Sequence, residues 1–401
     1  MSKKTLYKLF YADPSAFHAE YDKRFQDEDT IHLDIKIGEH SAFVCQSAEI
    51  FRLIISIERT NNKISQICNR LPGIALSQFQ QRCLIDEIVL TNNIEGVHST
   101  RKEISEILQD LSKNNKRERF VGLVNKYVLL MKNETLPLQT PEDVRKIYDD
   151  IFYEEIKATD SENLPDGTVF RKSDVGVYSP TGKKIHDGLY PESKIISVMK
   201  KSLDFLNDNR YDILLRIAVF HYLFGYIHPF YDGNGRTSRF ISSYMLSQNL
   251  NKLIGYRISF TIKEHINKYY KAFEICNHYH NRGDLTPFAE MFLGIVDISM
   301  HQLYQALSER SEKLIHYIDL ITQLPNAENE SMCRIYDYLI QAALFSNMGI
   351  SQKELECEMR MTYNTVRSRL KRIPEELLIT NKQGNRSFYL LNLKAVDESL
   401  K

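Results

Sequence analysis

At 401 residues with 43 % apolar residues, the chain is long enough to bury one large core or two to three smaller ones. Acidic and basic residues balance at 52 each, which excludes a whole-chain field directed at nucleic acid or membrane and leaves only local patches to argue from. The six cysteines are scattered, with no CxxC pair or metal-type spacing to suggest a zinc or redox site, so a reducing, cytoplasmic setting is expected.

The first residues, MSKKTLYKLFYADPSAF, lack the apolar core and cleavage site of a signal peptide. Helical periodicity begins with SAEIFRLIISIERTNNKISQI and continues through LSQFQQRCLIDEIVLTNNIEG, where Phe79, Cys83, Leu84, Ile88 and Ile94 follow a 3.6-residue stripe. Gly96 is a stop signal, and the next helix opens on a capping box formed by Thr100 and Glu103. EGVHST is thereby a tight joint between helices.

Between Asp166 and Pro191 short apolar runs flank SPTG among turn formers, which predicts a β-hairpin from about Val169 to Ile185. KIISVMKKSLDFLN and YDILLRIAVFHYLFGYI follow as helices, the second apolar on nearly every face and suited to the centre of a core. Arg216 and His221 interrupt it, and it is too short to span a bilayer.

That helix runs directly into HPFYDGNGRTSRF. Gly233 and Gly235 flank Asn234 where one helix ends and another begins, so main-chain N–H groups can converge on an anion without Cβ interference. Arg236 and Arg239 share a face of the new helix, where cations oppose the dipole unless an anion lies between them. Phosphate suits two guanidinium forks, and Asp232 at the mouth of the loop suits Mg²⁺ beside a polyphosphate. His228 is the side chain able to accept a hydroxyl proton near neutral pH. A base, a metal ligand, an anion cradle and two charge clamps describe transfer of a phosphorus-centred group to a hydroxyl.

HPFYDGNGRTSR occupies every fixed position of HxFx[D/E]GNGRxxR, and the chain thus resembles the Fic (filamentation induced by cAMP) family. The resemblance extends to TNNIEG upstream, to GTVFRKSDVGV and GLYPESKI around the hairpin, and to NKYYKAFE and RGDLTPFAEMFL downstream. It implies a mainly α fold: a helical core with a small β-hairpin flap and an N-terminal helical segment. It also implies transfer of AMP from Mg-ATP to a Ser, Thr or Tyr hydroxyl of a target protein or of the chain itself. By the same resemblance His228 is the general base and Asp232 holds Mg²⁺. Gly233, Asn234 and Gly235 form the anion hole, Arg236 contacts the phosphate chain, Arg239 takes the γ-phosphate, and Phe230 anchors the loop. Relatives with lysine at the second motif glycine act as kinases, so Gly235 points to nucleotidyl transfer.

TNNIEG, Thr91 to Gly96, resembles the family's inhibitory motif [S/T]xxxE[G/N], placed before the core as in class II members. Glu95 would pair with Arg239 and keep the γ-phosphate from seating. A restraint of about 3 kcal/mol would leave about one per cent of molecules competent. Glu95 could instead orient a water that removes AMP, so both directions stay open. The hairpin offers an edge to which an extended target segment can add. Tyr269 and Tyr270 match a family position near the adenine and suit a helix core equally well.

After LPNAENES the order of three helices and two strands around NKQGN describes a winged helix-turn-helix. Arg360, Arg367, Arg369, Lys371, Arg372, Lys382 and Arg386 gather on its recognition helix and wing. They suit DNA, though such modules also dock proteins, and a DNA-binding regulator with a nucleotide-sensing core is the competing function. The expected regions are 1–130 N-terminal, 131–300 catalytic core, 301–325 linking helix and 326–401 winged helix. The family also often dimerises through its core.

Overall fold

The computed structural model describes residues 4–109, 119–132, 134–178, 184–384 and 386–399. The fold is mainly α, and the described strands belong to two hairpins and one three-stranded sheet. The chain divides into two compact units, one of residues 1–61 and 85–301 and the other of residues 62–84 and 302–401.

The first unit is organised around the helix Ile213–Ile227, which is buried along almost its whole length. A run with no polar face is stable in a helix only when neighbours cover every side, and Glu192–Leu206 and Asn234–Asn249 pack on it. Asp212 caps its start by accepting from the Leu214 N–H at 2.8 Å. His228 ends it in the left-handed region, at φ 50° and ψ 64°.

The N-terminal region is not helical throughout, as the periodicity had suggested. Thr30–Ile37 and His40–Cys45 form an antiparallel hairpin. Ile31, Leu33, Ile35 and Ile37 alternate with His32, Asp34 and Lys36, a two-residue period that buries one face, and Gly38 makes the turn at φ 58°. The hairpin at the flap is shorter than expected: Gly176–Tyr178 pairs with Lys184–Asp187. Val169 and Phe170 are instead buried, with their N–H groups held by the Glu192 carboxylate at 2.8 and 2.9 Å. The SPTG turn lies outside the described residues.

The second unit contains the helices Glu330–Phe345, Gln352–Met359 and Tyr363–Leu370, then the strands Leu378–Gln383 and Arg386–Leu391. The two-residue strand Ile350–Ser351 pairs with Arg386–Leu391, so the longer strand lies at the centre of the sheet. Ser351 and Glu354 form the expected capping box. Among the described residues no helix is long and apolar enough to cross a membrane.

Candidate functional site

The site is built where Ile213–Ile227 hands over to Asn234–Asn249. A non-glycine residue in the left-handed region needs support, and His228 has it from Arg171. The buried Arg171 guanidinium donates to the carbonyls of His228 at 2.9 Å, of Leu189 at 2.8 Å, and of Ser173. Phe230 is fully buried and stacks on Tyr148 with ring centroids 3.7 Å apart, which anchors the loop as expected. Asn234 closes it: its Oδ1 accepts from the Phe230 N–H at 3.0 Å and its Nδ2 donates to the Phe230 carbonyl at 2.7 Å. Its side chain is thus occupied, and what Asn234 offers an anion is its main-chain N–H.

Gly233 caps the second helix at φ 77° and, having no side chain, supplies no capping bond to the first turn. The N–H groups there have no partner within the helix and form a positive end open to an anion.

The main chain of Gly225 lies beside the His228 imidazole and favours its protonated form, against the larger effect of burial. Burial, with His186 and Arg171 nearby, pushes the His228 pKa down to about 3, which keeps the ring neutral, with one nitrogen protonated and the other holding a lone pair.

Arg236 and Arg239 leave the same helix towards different partners. Arg236 is buried, donates to Glu155 at 2.9 Å, lies 3.4 Å from Asp232, and packs over the Phe152 ring at 4.4 Å. Asp232 is about half exposed, and its Oδ1 accepts from the Gly233 N–H at 2.5 Å. One exposed carboxylate beside an anion cradle fits a Mg²⁺ ion, which takes one or two protein carboxylates and completes its shell with phosphate and water.

Arg239 is also buried, and it turns to the end of the helix Gly73–Ile94. Its Nη1 lies 2.8 Å from Glu95 Oε1, its Nε donates to Thr91 Oγ1 at 2.8 Å, and its Nη2 donates to the Thr91 carbonyl at 3.0 Å. Neighbouring Glu95 raises the Arg239 pKa against the opposing effect of burial.

Tyr269 is buried and Tyr270 half-buried. The Tyr269 hydroxyl lies 2.7 Å from Nε2 of the buried His221. The other ring nitrogen, Nδ1, lies 2.8 Å from the Ser242 hydroxyl and 3.2 Å from that of Ser238. Burial, reinforced by Arg239, lowers the His221 pKa to about 3.

His228, Asn234, Gly235, Arg239, Tyr269, Tyr270 and Glu95 all line one cavity of about 100 Å³. Asp232, Gly233 and Arg236 are outside its lining, on the loop and in the packing behind it.

Sequence reasoning did not single out Arg171, Glu155, Thr91 as a ligand of Arg239, or Glu87. The Glu87 carboxylate is fully buried and accepts from the Ser259 N–H at 2.9 Å and the Ser259 hydroxyl at 2.6 Å, and burial pushes its pKa up to about 7. Glu87, Thr91 and Glu95 recur every four residues, so one helix face was the available signal.

The Fic/DOC family model matches residues 138–246, which include the whole loop from His228 to Arg239. Glu95, Tyr269 and Tyr270 lie outside the match. The chain is 33 % identical over 106 residues to the protein adenylyltransferase Fic of Aedes aegypti, covering 26 % of this chain and 19 % of that protein. It is 27 % identical over 125 residues to the protein adenylyltransferase fic-1 of Caenorhabditis elegans, covering 30 % and 23 %. The chain therefore spans about a fifth of the length of the curated relatives it matches. Among solved structures, a Fic family protein from Desulfovibrio desulfuricans G20 aligns with a TM-score of 0.49 and 19 % identity over 86 % of this chain and 96 % of its own. This chain carries a Fic/DOC family domain over residues 138–246.

Proposed function

We propose that this chain is a protein adenylyltransferase that moves AMP from ATP to a serine, threonine or tyrosine hydroxyl of a target protein, restrained by Glu95. The observation that carries the reading is the neutral His228 imidazole on the same cavity as Gly235 and Arg239. The hydroxyl oxygen bonds to the α-phosphorus and the bond to the pyrophosphate oxygen breaks. Pyrophosphate leaves with the electron pair, and the hydroxyl proton passes to His228. Main-chain N–H groups of the Asn234 turn hold the α-phosphate charge, and Arg239 holds the terminal phosphate. Mg²⁺ on Asp232 would neutralise charge on the departing phosphates.

The cavity, at about 100 Å³, is smaller than the roughly 300–1,000 Å³ common for ligand sites. This supports the view that Glu95 takes part of the room a nucleotide needs. The test incubates purified wild type, Glu95→Gly and His228→Ala with Mg²⁺ and ATP labelled at the α- or the γ-phosphate. Protein-bound α-label, raised in Glu95→Gly and absent in His228→Ala, is expected. Bound γ-label would instead mean a kinase.

Removal of AMP is the second reading, favoured by the other Glu95 oxygen, which has no partner among the described residues and could orient a water. Release of AMP from a modified protein, faster in wild type than in Glu95→Gly, would favour it. Residues 326–401 are read as an accessory winged helix, with Arg367, Lys371, Lys382 and Arg386 exposed. A salt-sensitive gel shift with generic duplex tests whether it contacts DNA.

A further inference from the structure

The second unit holds a cavity of about 420 Å³ that the nucleotide reading does not use. Asp337, Glu354 and Glu358 stand on its wall, the two glutamates exposed and Asp337 half-buried. Carboxylates alone would be an ordinary solvated surface, but two buried amides share the wall with them. Gln78 is 5 % exposed, and neither its Nε2 nor its Oε1 has a partner among the described residues. Gln341 is 1 % exposed; its Nε2 donates to Asp337 at 2.9 Å, while its Oε1 has no partner among the described residues. Unsatisfied buried amides are costly and uncommon, and here the open side of the cavity is where polar groups could reach them.

The ligand's chemistry follows from this inventory. Three carboxylates and the Gln341 oxygen ask for a cation with several donors, which a guanidinium supplies in one plane. Ile74, Ile350 and the Tyr338 ring line the same cavity and suit an aliphatic stem behind the charged head. Whichever way the Gln78 amide is turned, it needs both a donor and an acceptor. A guanidinium alone cannot accept, and a free carboxylate would be repelled by Asp337, Glu354 and Glu358. A neutral main-chain amide meets both needs.

We propose that this cavity is a docking site for an arginine side chain of a peptide segment, held by Asp337, Glu354, Glu358, Gln341 and Gln78. The site lies wholly within the second unit and is independent of the AMP-transfer reading. It would select a partner protein that displays arginine on an extended, accessible segment.

The test titrates the full chain by calorimetry with the acetylated, amidated tripeptide Ala-Arg-Ala, its citrulline analogue, which is neutral and nearly isosteric, and agmatine, which has the guanidinium without a peptide group. The arginine peptide binds, and the citrulline peptide binds about tenfold more weakly or worse, as expected for loss of a charge-assisted contact. Glu358→Gln and Gln78→Leu each weaken the arginine peptide, and Glu358→Gln, on an exposed helix face, controls for misfolding of the buried variant. Equal binding of the arginine and citrulline peptides, or no binding of either at millimolar concentration, overturns the proposal. Agmatine binding as tightly as the peptide overturns the peptide assignment and makes the site one for free guanidines.

Discussion

Glu95 Oε1 lies 2.8 Å from Arg239 Nη1, with the guanidinium fully buried and the carboxylate side chain about one-third exposed. A charge-assisted bond that is neither solvated nor deeply sealed is strong enough to hold a population and weak enough to be displaced.

Replacing Glu95 by glycine should raise the initial rate of α-label transfer from ATP to protein by ten- to about a hundredfold, the range for a restraint of roughly 1.4 to 3 kcal/mol. Thr91 should keep Arg239 in place, because its hydroxyl and carbonyl hold the guanidinium independently of Glu95. An unchanged rate in folded Glu95→Gly would remove the restraint from the account.

Arg171→Met should lower transfer by about tenfold or more and destabilise the chain by roughly 1–3 kcal/mol or more, because the buried carbonyl of Leu189 and the main chain of His228 lose their donor. Transfer should fall even at temperatures well below the lowered Tm. Arg171→Lys restores the charge without the fork and should recover little. Full activity with a lowered Tm would show that the clamp is structural only.

Gly235→Ala should not mimic Glu95→Gly. A Cβ at 235 would fall on the Glu95 carboxylate and within 3.0 Å of Arg239 Nη1. It would displace Glu95 while crowding the place where phosphate must sit. In an α-label assay the double variant Glu95→Gly with Gly235→Ala should fall well below Glu95→Gly alone. Equal rates would mean that nothing approaches the Gly235 main chain during transfer.

Stability should be lost towards acid. His221 and His228 titrate near 3 in the native chain against an ordinary value of 6.5. Between these values the unfolded chain binds more protons, so the contribution is fully present above 6.5 and is lost as pH falls towards 3, at up to about 1.4 kcal/mol per pH unit per histidine. Glu87 acts in the opposite direction. Its native pKa is raised to about 7 from 4.5, so its contribution is present below 4.5 and lost as pH rises through 7. The opposition makes the loss steepest below about 4.5. Urea midpoints of wild type, His228→Asn and Glu87→Gln across pH 3.5–7.5 check this: the histidine variant should flatten the acid limb, and the glutamine variant should steepen the segment between 4.5 and 6.5.

How much was legible beforehand depended on whether a signal was local. The helix Ile213–Ile227, the joint at Gly96 and the capping boxes at Thr100 and Ser351 follow from neighbouring residues, and the structure repeats them. The N-terminal hairpin was legible in the alternation from Ile31 to Ile37, but helical periodicity elsewhere obscured it. The flap hairpin was overextended because Val169 and Phe170 read as strand residues, whereas the Glu192 carboxylate, more than twenty positions away, claims their N–H groups.

The sequence by itself determined the chemistry available at the helix junction: the glycines around Asn234, the base at His228, and the charges of Asp232, Arg236 and Arg239 are covalent facts of one short segment. Only the tertiary structure decided how those charges are divided. It sends Arg236 to Glu155 and Arg239 to Thr91 and Glu95, and it brings Arg171 from elsewhere in the chain to the carbonyl of His228. The reason is that a buried guanidinium must find acceptors wherever the fold brings them, and these lie between 57 and 148 positions away in the chain.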